Sequence, residues 1–174
     1  SCTAQSGGGE KAGSDASRVT ILTGEAALPP EALKVETTGA RFVVTNGKQV
    51  VSIDRKAFSV FSSFTVDGKE MMSEGSDIIL EDPNGKRFYA SLCESLSSRV
   101  LVSGPERVII EVSGTHVAED DTSCLDLRLR YTFRAGDPCV KLAYKFTNRE
   151  DPELGIHLRT AGIEIPTALG RRTT

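Results

Sequence analysis

The side chains whose spacing could serve a ligand are cationic. Arg128, Arg130, Lys141 and Lys145 fall at alternate positions of two neighbouring apolar–polar runs, and His157 and Arg159 alternate with Ile156 and Leu158 further on. Arginine grips a carboxylate through two parallel hydrogen bonds and lysine adds a point charge, so this set suits an anionic partner. The competing reading is a solvated sheet face with Asp126 and Glu164 compensating, since exposed charges often contribute little. The candidate substrate contacts are Arg128, Arg130, Lys145, His157 and Arg159. No residue can be assigned a catalytic role from its motif. The two histidines, His116 and His157, sit in no nucleophile motif, and neither G-x-S-x-G nor a phosphate-binding glycine loop occurs. No C-x-x-C pair suggests structural zinc. Glu119-Asp120-Asp121 lacks the spaced oxygen ligands of a calcium loop and reads as a solvated loop tip. No metal and no cofactor is expected.

The elements that must position these residues are strands. Short apolar or alternating runs recur from Arg18 onward, near 18–23, 32–38, 41–45, 48–54, 57–66, 77–82, 86–92, 98–103, 106–118, 124–134, 138–148 and 155–165. Asn46-Gly47 and Asp67-Gly68 predict type I′ turns, and Asp82-Pro83-Asn84-Gly85 a four-residue loop. No stretch sustains the helical period, and Pro29-Pro30 rules out helix there. Many short strands without helices predict an all-β, antiparallel, supersandwich-like β-sandwich.

One hairpin can be registered. Arg134 and Cys139 flank Ala135-Gly136-Asp137-Pro138, which sets Phe133 opposite Val140, Tyr131 opposite Leu142, Leu129 opposite Tyr144 and Leu127 opposite Phe146. All these pairs are apolar or aromatic, and with Phe58 and Phe64 they are expected to face inward. The outward face then sets Arg128 opposite Lys145, a like-charge pair that costs stability unless an acidic neighbour relieves it. The same register puts Cys124 and Cys139 at opposite ends of the hairpin, about 33 Å apart along the strand. A disulfide needs Cα atoms within about 7 Å, so that bridge is excluded, while Cys93 remains able to pair with either.

With 174 residues and 39% apolar residues the chain suffices for one domain with a core. A net charge of -3 gives no global case for nucleic acid, and no apolar run is long enough to be a transmembrane segment. Residues 1–17 are Gly-, Ser- and charge-rich and read as a flexible, disordered tail before a domain over 18–174. No intact secretory signal opens the chain, but Ser1-Cys2 with a Gly/Ser tether resembles the processing point of a bacterial lipoprotein. A stray cysteine in a tail is the alternative, and the four cysteines do not decide the redox compartment.

The ordered run of features resembles one family. "FVVTNGKQVVSIDRKAFSVFSSFTVDGKEMM" (42–72), "SGPERVIIEVSGTH" (103–116), "LRLRYTFRAGDPCVKLAYKFTN" (127–148) and "LRTAGIEIPTALG" (158–170) are similar, in order and spacing, to the β region of exo-rhamnogalacturonan lyase/YetA-like proteins. The resemblance implies the central β-sandwich of a protein that also has a small N-terminal barrel and a C-terminal α/α toroid. Residues 18–38 would then be the remnant of the barrel, and the toroid would be a partner missing from this chain. It further implies an extracellular, cell-surface or periplasmic setting and an acidic, pectin-type, uronate-containing polysaccharide as partner. Lyases of this kind remove a proton next to a carboxylate and expel the β-oxygen, which needs a base and a cation. The cleft that does this is expected to need the missing domains, so no catalytic role carries over. The chain is therefore expected to be scaffold and substrate contact, inactive alone. A surface-anchored non-catalytic glycan-binding module is the alternative, weakened by the absence of Trp, and a purely structural domain stays open.

Overall fold

The computed structural model describes residues 32–73, 75–148 and 155–168. The tail over 1–17 with Cys2, and the strand expected at 18–23, lie outside the described residues. Among those described there is no helix, and every strand pairing is antiparallel.

Five strands form the first sheet as a meander: β1 (Lys34–Thr37), β2 (Arg41–Asn46), β3 (Gln49–Asp54), β4 (Ser63–Val66) and β5 (Lys69–Glu70). Seven form the second: β6 (Asp77–Glu81), β7 (Arg87–Tyr89), β8 (Ser97–Ser103), β9 (Arg107–Val117), β10 (Ser123–Arg134), β11 (Lys141–Thr147) and β12 (Thr160–Glu164). Their order is β11-β10-β9-β7-β6-β12, with β8 also paired to β9. Tyr89 pairs with Val117 and Ser97 with Ser113, so β7 and β8 run in line along one edge of β9. Between them the chain steps inward, and a Cβ on Gly114 would lie 2.8 Å from Cys93 Sγ and 2.9 Å from Leu96 Cδ2. Glycine is what lets this excursion close on β9.

Alternation builds the core. Phe42, Val44, Val51 and Ile53 of the first sheet meet Ile110, Val112, Leu127, Leu129, Tyr131 and Phe133 of the second, all essentially without exposure. The predicted β10–β11 register is observed from Asp126↔Thr147 to Thr132↔Lys141. Tyr131 donates its hydroxyl to the Val60 carbonyl at 2.6 Å, which satisfies the one polar atom on this inner face of β10.

Several expectations change. Residues 57–62 are not strand: Val60 and Phe61 are adjacent and both buried, and the segment anchors on Ser76 through Val60 N and Phe61 N instead of pairing along the sheet. The strands near 86–92, 138–148 and 155–165 shorten to 87–89, 141–147 and 160–164. Phe146 lies opposite Leu127 as expected but is 47% exposed, at the far end of the edge strand β11 from the inward Leu142 and Tyr144 that pack on the core. Cys93, Cys124 and Cys139 form no disulfide with one another.

The turn at Asn46-Gly47 also differs. Asn46 pairs with Gln49, so the turn residues are Gly47 and Lys48, and only Gly47 (φ 58°) is left-handed. Asp67 (φ 51°) and Gly68 (φ 75°) do form the expected I′-type pair. Freed from the turn, Asn46 ties the sheets together. Its Nδ2 donates to the Arg134 and Asp137 carbonyls at 3.0 and 2.7 Å, and its Oδ1 accepts from Gly136 N at 3.1 Å. Asn46→Ala takes the side-chain partner from the Asp137 carbonyl and the Gly136 N–H, while the Arg134 carbonyl keeps the Asp137 N–H at 3.1 Å. It should cost about 2–3 kcal/mol, seen as a lower urea midpoint with an unchanged slope. An unchanged midpoint would show that water replaces the side chain.

Candidate functional site

The outward face of β8–β11 is organised around one buried carboxylate. Val108, Ile110 and Val112 point into the core, so Glu111 points out, yet it is only 3% exposed. It is covered by cations from both neighbouring strands. Arg99, its register partner on β8, donates through Nε and Nη2 to Oε1 at 3.3 and 2.8 Å. Arg130, its partner on β10, donates through Nη2 to Oε2 at 2.8 Å, and Arg128 Nε stands 4.0 Å from the same oxygen. Hydrogen bonding from Arg130 foremost, and then Arg99, holds the Glu111 carboxyl below its ordinary value against the opposing pull of burial. The three arginines stay about half exposed or more, so their remaining N–H groups face solvent.

A groove of about 420 Å³ adjoins this cluster, with Ser97, Ser113, Thr115, Asp126, Arg128 and Thr147 among its walls. Thr115 Oγ1 donates to Asp126 at 3.1 Å. Lys145 flanks the groove as the register partner of Arg128. Hydroxyls, one carboxylate and one guanidinium on a flat strand floor can hydrogen-bond a polyhydroxylated, carboxylate-bearing molecule; there is no enclosed pocket and no aromatic platform here. Arg128, Arg130 and Lys145 are thus brought together on the outward face.

His157 and Arg159 stand elsewhere. Residues 155–159 are not strand, so the alternation inferred for them does not apply. Arg159 Nη1 pairs with Glu81 Oε1 at 3.1 Å, and Arg87 Nε holds Glu81 Oε2 at 3.2 Å. Three strands, β9, β7 and β6, separate β10 from β12, which is about 20 Å laterally. The acidic loop is a local structure. Asp120 binds Lys86 Nζ at 2.7 Å, which together with Thr122 lowers its pKa to about 2, and Asp121 takes a left-handed φ of 64°. Among the described residues no three His, Cys, Asp or Glu side chains are grouped to hold a metal.

The other histidine is buried. His116 Nδ1 lies 2.7 Å from the Leu125 carbonyl, so it carries the proton and donates. Nε2 then accepts from the Tyr144 hydroxyl at 2.9 Å. Burial lowers the His116 pKa and raises that of Tyr144, so both stay neutral.

Sequence reasoning missed Arg99 and Glu111. The alternation Val108, Ile110, Val112 placed Glu111 outward, but the β9–β10 register that sets it against Arg130 needs a bulge between Ser123 and Asp126.

Compared with family models, residues 33–173 match the one described as the PcRGLX-like protein central beta sandwich domain. No curated protein matches the chain.

Stability should fall in two stages as the pH is lowered. His116 has a depressed folded pKa, so the unfolded state binds the proton first. Its contribution is complete above its ordinary 6.5 and is lost as pH falls through its lower folded value. Glu111 follows the same sign from 4.5 downward. Urea midpoints across pH should fall below about 6.5, and His116→Gln should flatten that upper step. A parent midpoint flat from neutral pH to 5 would refute the assignment.

Proposed function

The chain belongs to the family of PcRGLX-like central β-sandwich domains, and on that premise we propose that it serves a rhamnogalacturonan-lyase-like protein as scaffold and substrate wall, contacting acidic pectin-type polysaccharide through the outward face of β8–β11. The observation that carries this reading is the segregation of charge. The whole chain is at -3, yet the outward positions of β8–β11 hold Arg99, Arg107, Arg128, Arg130, Arg134, Lys141 and Lys145 against Glu111 and Asp126, a surplus of five positive charges. Arginine forks match uronate carboxylates in geometry, and the adjoining hydroxyls suit the rest of a sugar ring.

Binding, not cleavage, is what these groups do. β-Elimination needs a base beside the acidic C–H. The groove offers Asp126, already accepting from Thr115, and His116 is committed inside the core. A pectic partner is met outside the cell, which is in keeping with an extracellular or cell-surface location, with Cys2 as a lipid-anchor candidate.

Exposed contacts of this type contribute about 0.2–1 kcal/mol each, so one domain should bind oligogalacturonides weakly, near a Kd of about 1 mM. Calorimetric titration should show affinity that falls with added salt and falls again in Arg128→Ala plus Arg130→Ala, with no ultraviolet-absorbing unsaturated product. Arg159→Ala should bind as the parent does. Failure of any oligomer to bind would leave a scaffold alone, and loss through Arg159→Ala in place of the β10 pair would move the contact to the β6–β12 side.

A further inference from the structure

Two arginines on the same face lie beyond the groove and the Glu111 cluster. Arg134 follows Arg128 and Arg130 along the outward side of β10, and its register partner on β9 is Arg107. Both are exposed, and neither has an ion-pair partner among the described residues. Like charges directly opposed across two strands destabilise a sheet. Glu106 lines the same groove as Arg107 and Arg134 but forms an ion pair with neither, so the Arg107–Arg134 repulsion is relieved less than that of Arg128–Lys145, where Glu111 stands close to Arg128. Lys141, also exposed, lies between the two ends on β11. The cations form a strip along β10. Arg128 and Arg134 are six residues apart, about 20 Å at the rise of an extended strand.

We infer that this strip is a linear array of subsites: a polyuronate chain lies along β10, with Arg107 and Arg134 holding units beyond those held at Arg128 and Arg130. The inference rests on the face being a polysaccharide surface. A single anionic unit would need one end of the strip. A repeating polyanion uses all of it, because its carboxylates recur at intervals as the outward positions of a strand do.

The array is tested with a graded series of oligogalacturonides, from the dimer upward, on the parent, Arg107→Thr and Arg134→Thr. Threonine suits an exposed strand position, and far-UV spectra check the fold. Affinity should climb with length until the strip is filled. Each substitution should weaken the longer oligomers by about two- to five-fold, and more than it weakens the dimer. Each should also raise the urea midpoint, because a repulsive pair is relieved; a residue that merely supported the fold would move it the other way. Lys34→Thr, the same charge change on the other sheet, should alter none of these. Affinity that stops rising at the dimer, or substitutions that weaken every length equally, would overturn the array while leaving a single uronate site intact. Absence of binding at every length would remove the functional reading and the array with it.

Discussion

A slip of β10 by one residue would exchange its two faces. Leu127, Leu129, Tyr131 and Phe133, each no more than 2% exposed, would move to solvent, and Arg128, Arg130 and Arg134 would enter the core. Burying a large apolar side chain contributes about 1.5–3 kcal/mol, so the four together approach the whole net stability of a domain. The register of β10 is therefore fixed by its inner face, and the outer face inherits it. Every arginine on that face is aimed by a side chain on the other side of the same strand.

Given that register, the outer face has an electrostatic problem that Glu111 solves in part. Arg99, Arg128 and Arg130 converge from β8 and β10, and without an anion their mutual repulsion would oppose the strand pairing. One carboxylate at the centre, on β9, reaches all three. Taking it out of water is costly, and the cost is met because both oxygens receive charge-assisted hydrogen bonds. Glu111 neutralises one charge of three. What remains is a fixed array of half-exposed guanidinium groups, with their orientation set before any ligand arrives, so little side-chain entropy is left to lose on binding.

Local pattern reveals β10 and β11 because both faces of that hairpin are unambiguous, so the pairs from Asp126↔Thr147 to Thr132↔Lys141 could be read from spacing alone. It fails where tertiary contact decides. Phe58, Val60, Ser62 and Phe64 alternate, yet the buried Phe61 between them takes the chain out of the sheet. Asn46 looks like a turn residue, but its side chain is used 88 to 91 residues away, a pairing no local rule detects. Phe146 alternates inward like its neighbours, yet at the end of an edge strand it stays 47% exposed. For the site, sequence gave the cations on β10 and β11 but grouped them with His157 and Arg159, whose distance from β10 depends on strand order. Glu111 was hidden behind a bulge. Family membership rests on residues 33–173 taken together, while the individual turn and strand motifs are common to many β proteins.

The edge strand links the core to the basic face. β11 carries Lys141 and Lys145 outward, but its inward side chains are only half covered, and Phe146 is largely open. Ladder bonds to β10 alone would hold such an edge weakly. Tyr144 supplies a further tie, since its hydroxyl donates to His116 Nε2 while His116 Nδ1 donates to the Leu125 carbonyl, so one chain of hydrogen bonds crosses β11, β9 and β10. The ring of Tyr144 also packs edge-on to His116, with centroids 5.9 Å apart. A neutral histidine in the core thus helps fix where Lys145 stands on the opposite side of the sheet. The polar groups buried under this face are part of what makes the face, and a substitution aimed at the core can reach the ligand surface without touching any of its cations.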